Sequence, residues 1–347
     1  MILLSYILPV YGVEDYIVEC LDSIYSQRLH ESDFEVICVD DCSPDNSKRI
    51  IQSYQNKYSN LVLIEHKTNK KSGGARNTGL SVAKGKYVWF VDPDDVIMPD
   101  AVGRILKQCE KQDLDVLCFN FFIVNPCNKQ LDTCFFRCFS AMDGLSFLDT
   151  VFGNKVIFNL GYPWRAVYSL KIILDNNIEF VENMPYGQET TFMVEVISSS
   201  ERVAAITDAL YGYRQNENNV SFSLHKQGKG NLIYYSIIGA AEMVLKWKLS
   251  VCEQSKILEN NIDRGLPWFV NRLFFRLIRT SNKQRAVFYK CLLEDVKNGK
   301  RHEELFSYMD LKNRFIVKHP KIGKVVLNFV SGIYKTKHFF PKTKYYN

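Results

Sequence analysis

Apolar runs and amphipathic segments alternate along the first 124 residues of the chain. Unbroken apolar runs of about four to eight residues are typical of strands buried on both faces, and apolar positions three and four apart are typical of helices. Five strands are predicted, at Leu3–Val10, Phe34–Val39, Leu61–Glu65, Tyr87–Val91 and Asp115–Val124. Four helices are predicted between them, at Ile17–Tyr25, Ser47–Tyr58, Asn77–Ala83 and Pro99–Lys111. This alternation predicts an α/β fold with a mainly parallel sheet flanked by helices.

The pattern changes in the second part of the chain. From Phe135 to Ser223 the segments are short, mixed and rich in aromatic residues. Beyond them the periodicity is helical, after an interruption at Gly228 and Gly230. We therefore predict a first domain over residues 1–223 and a helical C-terminal region over residues 224–347.

The composition is that of an ordinary globular protein, with 46% hydrophobic and 24% charged residues in a chain of 347. Ten cysteines occur without a C-x-x-C pair, which disfavours a zinc site and is typical of reduced cysteines. Met1–Val10 lacks a basic leader and is interrupted by Ser5 and Pro9, so a first strand is predicted there and not a signal peptide. No apolar run reaches the roughly 18 residues that a membrane-spanning helix needs. We expect a cytoplasmic protein.

The positive charge is concentrated in the C-terminal tail. The net charge is +6, and nine Lys or Arg with no acidic residue follow from Leu311 onward, so the first 310 residues carry −3. Two interpretations stay open: a peripheral contact with the anionic cytoplasmic face of a membrane, or a packed helix followed by a solvated end. Nucleic acid is a disfavoured partner, because the basic residues are confined to this end and no binding motif accompanies them.

Aspartates gather where two of the predicted strands end. Asp40 and Asp41 follow the second strand, and Asp92, Asp94 and Asp95 follow the fourth. Ligands bind beyond the carboxyl ends of parallel strands, and D-x-D carboxylates commonly hold Mg²⁺ or Mn²⁺. The alternative is a polar turn in which Asp94 or Asp95 caps the next helix. Three carboxylates after one apolar strand favour the binding interpretation.

Two further segments carry candidate chemistry. Gly74 and Gly79 have the spacing of a phosphate loop, but Leu80 stands where that loop needs its lysine. What remains is a turn that opens a short helix, with Arg76 on its first turn, where a guanidinium and backbone N–H groups could hold a diphosphate. Glu189 heads an apolar segment and, taken alone, is typical of a carboxylate at a helix start.

Six segments in order resemble family 2 of the glycosyltransferases, whose fold is GT-A. They are ILPVYG (7–12), VDDCSPD (39–45), GGARNTGL (73–80), FVDPDD (90–95), MPYGQET (184–190) and YRQNENNVSFS (213–223). The resemblance covers about the first two-thirds of the chain. It implies a nucleotide half over residues 1–125 and an acceptor half over residues 126–223.

The resemblance also implies donor-binding roles. Pro9 and Tyr11 would border the nucleotide base, and Asp41 would hydrogen-bond a uracil-type ring. Arg76 would lie near the diphosphate. Asp92 and Asp94 would bind the ribose and a divalent metal, Mn²⁺ or Mg²⁺.

The remaining implied roles concern the acceptor and the support of the site. Glu189 would be the base that takes the proton from the acceptor hydroxyl, and Trp164 and Arg214 would lie on the acceptor side. Asp40, Asp95 and Gln188 would support these groups.

The implied function is a metal-dependent, inverting transfer of a sugar from a nucleotide sugar, a UDP-sugar, to a hydroxyl of a glycan or lipid-linked glycan. One departure matters: most relatives read E-D where this chain reads Gln188-Glu189. The longer Glu189 side chain displaces the carboxylate, and a misplacement of about 1 Å can cost on the order of 100-fold in rate. The alternative function is therefore a non-catalytic nucleotide-sugar-binding or scaffold subunit of a glycan assembly complex.

Overall fold

A computed structural model describes residues 1–124, 130–133, 139–152, 160–182 and 187–214. The strands within these ranges are β1 (Leu4–Val10), β2 (Phe34–Asp40), β3 (Leu61–Glu65), β4 (Tyr87–Phe90), β5 (Val96–Ile97), β6 (Val116–Val124), β7 (Gln130–Thr133), β8 (Phe139–Met142), β9 (Ala166–Ser169) and β10 (Val203–Arg214). The helices are α1 (Ile17–Tyr25), α2 (Ser47–Gln55), α3 (Lys71–Val82), α4 (Ala101–Gln112), α5 (Gly144–Phe152), α6 (Leu170–Asp175) and α7 (Gln188–Ser198). All five predicted strands and all four predicted helices are present, with shifts at their ends.

One mixed sheet organises the described residues. Its strand order is β3-β2-β1-β4-β9-β6-β10-β5, with β7 paired to β6 and β8 to β10. β1 runs parallel to β2 and β4, β2 runs parallel to β3, and β6 runs parallel to β10. β9 enters between β4 and β6 antiparallel to both. The carboxyl ends of β1, β2 and β4 therefore lie side by side at one edge.

The core follows from the sequence pattern. Every residue of β2 and β4 is buried, as the unbroken apolar runs predict for strands covered on both faces. The apolar stripe of α1 packs inward, and Ile17, Leu21 and Ile24 are fully buried. At the centre the rings of Tyr6 and Trp89 stack with 6.0 Å between their centroids.

Two helix starts differ from the prediction. α3 begins at Lys71, six residues before the predicted start, and so takes in two glycines of low helix propensity. Tertiary packing explains this: an added Cβ at Gly73 would lie 1.9 Å from Oε1 of Gln188 and 2.9 Å from the backbone oxygen of Val181, so only glycine lets the first turn of α3 pack this closely there. Arg76 consequently lies in the second turn of α3 and not in the first. α4 begins at Ala101, which leaves Pro99 outside the helix.

The chain divides into two compact units, one of residues 1–148 and 156–216 and the other of residues 149–155 and 217–347. Apart from residues 149–152, the second unit lies outside the described residues, as do the predicted boundary near Ser223, the helical C-terminal region and the basic tail. Those predictions stay predictions. No helix in the described ranges is both long and apolar enough to cross a membrane.

Candidate active site

The carboxyl ends of β1, β2 and β4 bring the predicted donor residues together. Asp41 directly follows β2, and Asp92 lies two residues beyond the end of β4. Because β1 pairs with both strands, these aspartates flank the end of β1, where Pro9 and Tyr11 lie. Pro9 sits opposite Val39 in the ladder, and Tyr11 is 51% exposed.

Asp41 is buried and held by one of its two carboxylate oxygens. Its Oδ1 accepts hydrogen bonds from the backbone N of Lys70 and from Nδ1 of His66, both at 2.7 Å. Its backbone oxygen accepts from Nδ2 of Asn69 at 3.0 Å. The carboxylate of Asp40, which precedes it, accepts within the described residues only from the backbone N of Ser43, at 3.4 Å from each of its oxygens. The two neighbouring aspartates are thus fixed by different means.

Arg76 joins two carboxylates that are distant in sequence. Its Nη2 lies 2.9 Å from Oδ1 of Asp92, and its Nη1 lies 3.4 Å from Oε1 of Glu189. The Arg76 side chain is 4% exposed, whereas those of Asp92 and Glu189 are 27% and 21% exposed. The carboxylates therefore reach the surface of the site and the guanidinium lies beneath them. Its Nε has no hydrogen-bond partner among the described residues.

The charges in this cluster shift one another's pKa values. Burial opposes the charge of Arg76, but the carboxylates of Asp92 and Glu189 outweigh that effect and raise the pKa of the guanidinium. Burial also raises the pKa of the Glu189 carboxyl, and the Arg76 charge partly offsets this rise. A carboxyl with a raised pKa is a stronger base when ionised, which suits general-base chemistry.

The turn after β4 is fixed from β10. The backbone N of Asp92 donates to the hydroxyl of Tyr211 at 3.0 Å, and that hydroxyl donates to Oδ2 of Asp95 at 2.8 Å. Oδ1 of Asp95 accepts from the backbone N of Arg214 at 2.7 Å. Asp95 is 1% exposed and does not cap α4. Two roles were predicted for it, a helix cap and a support of the site, and its contacts match the second. Burial, followed by the charges of Asp94 and Asp92, raises the pKa of its carboxyl well above the usual range.

Arg214 contacts the same turn, and its predicted role on the acceptor side stays a prediction. Its Nε donates to the backbone oxygen of Asp94 at 2.9 Å, and its Nη2 lies 2.5 Å from Oε2 of Glu19. Its guanidinium also lies over the ring of Tyr16, 5.5 Å from the centroid. The Arg214 side chain is 9% exposed and makes these contacts inside the protein.

Trp164 is likewise internal. It is 2% exposed, and its ring stacks on those of Tyr211, Tyr162 and Tyr213 with centroid separations of 4.5, 4.9 and 5.4 Å. This burial leaves almost none of the ring for an acceptor sugar. Trp164 thus packs against Tyr211, the residue whose hydroxyl contacts the turn after β4.

Gln188 supports the predicted base. Its Nε2 donates to Oγ of Ser72 at 2.8 Å and to Oε1 of Glu189 at 3.4 Å. The same side chain lies against α3 at Gly73, where an added Cβ would lie 1.9 Å from its Oε1. α7 begins at Gln188 after Gly187, whose φ of 86° is in the left-handed region that favours glycine. This turn aims Glu189 at Arg76.

The acidic turn fits a hard cation only when further oxygen ligands are supplied. No group of three or more His, Cys, Asp or Glu side chains that could hold a metal is found in the described residues. Asp95 faces inward to Tyr211, which leaves Asp92 and Asp94 as the carboxylates of the predicted metal site. One or two carboxylates combined with substrate phosphates are the usual protein ligands of Mg²⁺. The residues present therefore fit a cation shared with a bound diphosphate.

Sequence reasoning missed three residues of the site: His66, Tyr211 and Ser72. His66 and Ser72 gave no separate signal in their polar segments. Tyr211 precedes a segment that the resemblance includes, but its hydroxyl contact is made across 119 residues of chain.

Comparisons with known proteins agree with this geometry. The family model described as "Glycosyl transferase family 2" matches residues 5–151. Over 253 residues the chain is 29% identical to the glycosyltransferase EpsJ of Bacillus subtilis, a match that covers 69% of this chain and 71% of EpsJ. Over 322 residues it is 30% identical to a poly(ribitol-phosphate) beta-glucosyltransferase of Bacillus spizizenii. That match covers 90% of this chain, but the chain spans only about half of that relative's length, 48%.

A solved structure shows the same fold. Residues 1–349 of Staphylococcus aureus TarS, crystallised with UDP-GlcNAc, superpose with a TM-score of 0.70 at 23% identity, covering 96% of this chain and 92% of that one. The predicted GT-A fold is confirmed. The family model and the fold together define a glycosyltransferase. Residues 5–151 belong to glycosyltransferase family 2.

Proposed function

We propose that this protein transfers a hexosyl or N-acetylhexosaminyl group from a UDP-sugar to a hydroxyl of a phosphate-containing or other glycan polymer. The observation that carries the proposal is the contact of Arg76 with both Asp92 and Glu189. It unites the residue proposed for the diphosphate, a carboxylate of the proposed metal site and the proposed base in one cluster.

The donor would occupy the edge formed by the ends of β1, β2 and β4. Asp41 offers a carboxylate to the base, beside Pro9 and the exposed Tyr11. Arg76 presents a guanidinium whose planar fork suits diphosphate oxygens. The crystallised complex of TarS with UDP-GlcNAc supports a UDP-sugar as the donor class.

Asp92 and Asp94 would hold Mn²⁺ or Mg²⁺ together with the diphosphate. When bound, the cation would neutralise negative charge that develops on the departing nucleoside diphosphate. Arg76 supplies positive charge to the same region and is already fixed beneath the carboxylates. Preorganised charge of this kind stabilises a transition state without reorganisation at the moment of reaction.

Glu189 would accept the proton of the attacking hydroxyl. Its carboxylate is 21% exposed at the surface of the cluster and is oriented by Arg76 and Gln188. Attack of the hydroxyl oxygen on the anomeric carbon forms the new glycosidic bond as the bond to the diphosphate breaks. The proton passes to Glu189, the electron pair leaves with the diphosphate, and a single displacement inverts the anomeric centre.

The acceptor proposal follows two relatives, a poly(ribitol-phosphate) beta-glucosyltransferase and the poly(ribitol-phosphate) beta-N-acetylglucosaminyltransferase TarS. A lipid-linked acceptor and a peripheral contact through the basic tail remain part of the proposal, and the tail lies outside the described residues. A cytoplasmic location is proposed as well, and the free cysteines Cys20, Cys38, Cys42, Cys109 and Cys118 are consistent with a reducing compartment.

The test combines binding with turnover. UDP binding is measured by calorimetry with Mn²⁺ and with EDTA, and UDP release is measured from UDP-glucose and UDP-N-acetylglucosamine with poly(ribitol phosphate) as the acceptor. We expect metal-dependent binding and acceptor-dependent release from one of the two donors. Folded protein that binds no UDP contradicts the donor assignment, and equal binding with EDTA contradicts the metal assignment. Binding without release from either donor favours the scaffold alternative.

A further inference from the structure

We infer that His66 is a positioning residue that orients Asp41 and thereby selects uracil over cytosine in the donor. The inference rests on the proposed function, because it concerns the nucleotide half of the same site. The juxtaposition of His66 with Asp41 and Thr78 carries it.

His66 lies directly after β3, between the end of β2 and α3. Its backbone N donates to the backbone oxygen of Asp40 at 2.9 Å and continues the ladder between the two strands. Its side chain is 7% exposed. The ring is therefore held in one place by the sheet and lies beside the Asp41 carboxylate.

Both ring nitrogens are engaged. Nδ1 lies 2.7 Å from Oδ1 of Asp41 and donates to that carboxylate, and Nε2 lies 2.9 Å from Oγ1 of Thr78. The Thr78 hydroxyl also lies 3.0 Å from the backbone oxygen of Gly74, one turn earlier in α3. The ring thus spans from the carboxylate to α3, and it cannot rotate without losing a hydrogen bond at each end.

This arrangement uses one oxygen of Asp41 and spares the other. Oδ1 accepts from His66 and from the backbone N of Lys70. Within the described ranges Oδ2 accepts no hydrogen bond, and it is not fully buried from solvent. The carboxylate therefore presents one oriented acceptor that can still be reached.

An oriented carboxylate oxygen discriminates between pyrimidines. The N3 of uracil carries a hydrogen and donates to a carboxylate, whereas the N3 of cytosine carries a lone pair and is repelled by it. A hydrogen bond to a charged group contributes more than one between neutral groups, and an acceptor facing an acceptor leaves both unsatisfied. The selectivity depends on a fixed carboxylate, because a freely rotating one could turn away from cytosine.

The same contact connects two parts of the proposed donor site. Thr78 and Arg76 lie on α3, so the ring links the carboxylate that would bind the base to the helix that carries the guanidinium for the diphosphate. A packing role alone would affect all nucleotides equally. A positioning role affects the choice between uracil and cytosine.

The experiment measures the affinities of UDP and CDP for the full chain by competition, together with kcat and KM for the UDP-sugar found active. The variants are His66→Ala, which removes both ring nitrogens, and His66→Asn, whose amide nitrogen lies near the position of Nδ1. Thr78→Val and Thr78→Ser form a second matched pair that leaves His66 in place.

For His66→Ala we expect UDP binding about 10-fold weaker, CDP binding little changed and kcat at saturating donor within about two-fold of wild type. His66→Asn restores most of the UDP preference, and Thr78→Ser retains more of it than Thr78→Val. An unchanged ratio of UDP to CDP affinity in both His66→Ala and Thr78→Val overturns the inference, as does an equal loss for both nucleotides. If His66→Ala does not fold, the Thr78 pair decides.

The failure of the inference is distinguishable from that of the proposed function. Wild-type protein that binds neither UDP nor CDP contradicts the donor class itself, and the inference falls with it. If the wild-type protein prefers UDP and the variants keep that preference, only the role of His66 is contradicted.

Discussion

The negative charges at the two acidic strand ends of this protein are offset in different ways. At the end of β2, Asp41 is held by an imidazole and a backbone N–H, and nothing in the described residues occupies its second oxygen. At the turn after β4, Asp92 contacts a buried guanidinium and Asp95 is enclosed by β10. Hydrogen-bond donors around one carboxylate suit recognition of a neutral base, whereas a cation beneath several carboxylates suits charge that develops during a reaction. The first end should therefore govern recognition of the base, and the second should govern binding of the diphosphate with its metal and the rate of transfer.

The largest effect is expected from Glu189→Gln, which removes the proposed base and keeps the size of the side chain. We expect kcat to fall by about 10² to 10⁴-fold, the range that general-base catalysis contributes, while UDP affinity changes little. UDP release and calorimetry on the same preparation measure both quantities. A variant that turns over like wild type would show that Glu189 is not the base and that the cluster serves binding alone.

Arg76→Lys tests whether one side chain must reach both carboxylates. Lysine keeps the positive charge but loses the planar fork, and it cannot contact Asp92 and Glu189 in the same way. We expect kcat/KM to fall on the order of 100-fold, with thermal unfolding measured as the control for stability. If kcat/KM is preserved in a stable variant, charge alone suffices and the fork has no role.

The pair Asp41→Asn and Asp40→Asn sharpens the comparison within a single strand end. The Asp41 carboxylate has short hydrogen bonds and an available oxygen, whereas the Asp40 carboxylate accepts, among the described residues, only from Ser43 at 3.4 Å. We expect UDP binding to weaken about 10- to 100-fold in Asp41→Asn and by less than about three-fold in Asp40→Asn, without a matching change in kcat. Equal losses in the two variants would remove the distinction drawn between these neighbours.

Tyr211→Phe should have the smallest effect on chemistry and a measurable one on stability. The change removes the hydroxyl that connects the backbone N of Asp92 to Oδ2 of Asp95, so the buried Asp95 loses one of its two hydrogen bonds. We expect the free energy of unfolding to fall by about 1–3 kcal/mol, measured by denaturant titration. An unchanged stability would mean that the turn does not depend on β10.

The sequence predicted the strands of the nucleotide half far better than the start of α3 and the surroundings of the individual site residues. The alternation of buried runs and amphipathic segments is a local pattern, so β1 to β4 were found with shifts of one residue or less. α3 was predicted too short, because its glycines lower helix propensity and its start depends on the close packing of Gly73 against Gln188 and Val181.

The same distinction separates the predicted site residues that the structure brings together from those that it does not. Asp41, Arg76 and Asp92 lie at strand ends or on a helix that follows a strand, where chain order alone predicts a ligand edge. Trp164 and Arg214 were assigned from position in a motif, but their surroundings come from elements far along the chain. Arg214 meets Glu19 across 195 residues, a contact that no local pattern reveals.

The pH dependence of kcat for UDP release tests the central claim, that Glu189 is a partly buried base in contact with Arg76. A base acts when ionised, and burial raises the pKa of Glu189, so kcat should fall on acidification at a pH above the value of about 4.3 for free glutamate. Arg76 partly offsets that rise, so weakening the contact in Arg76→Lys should move the acid limb to still higher pH. The account predicts both results. A wild-type kcat that stays flat down to about pH 4 would contradict it, and so would a kcat of Arg76→Lys that falls at the same pH as that of wild type.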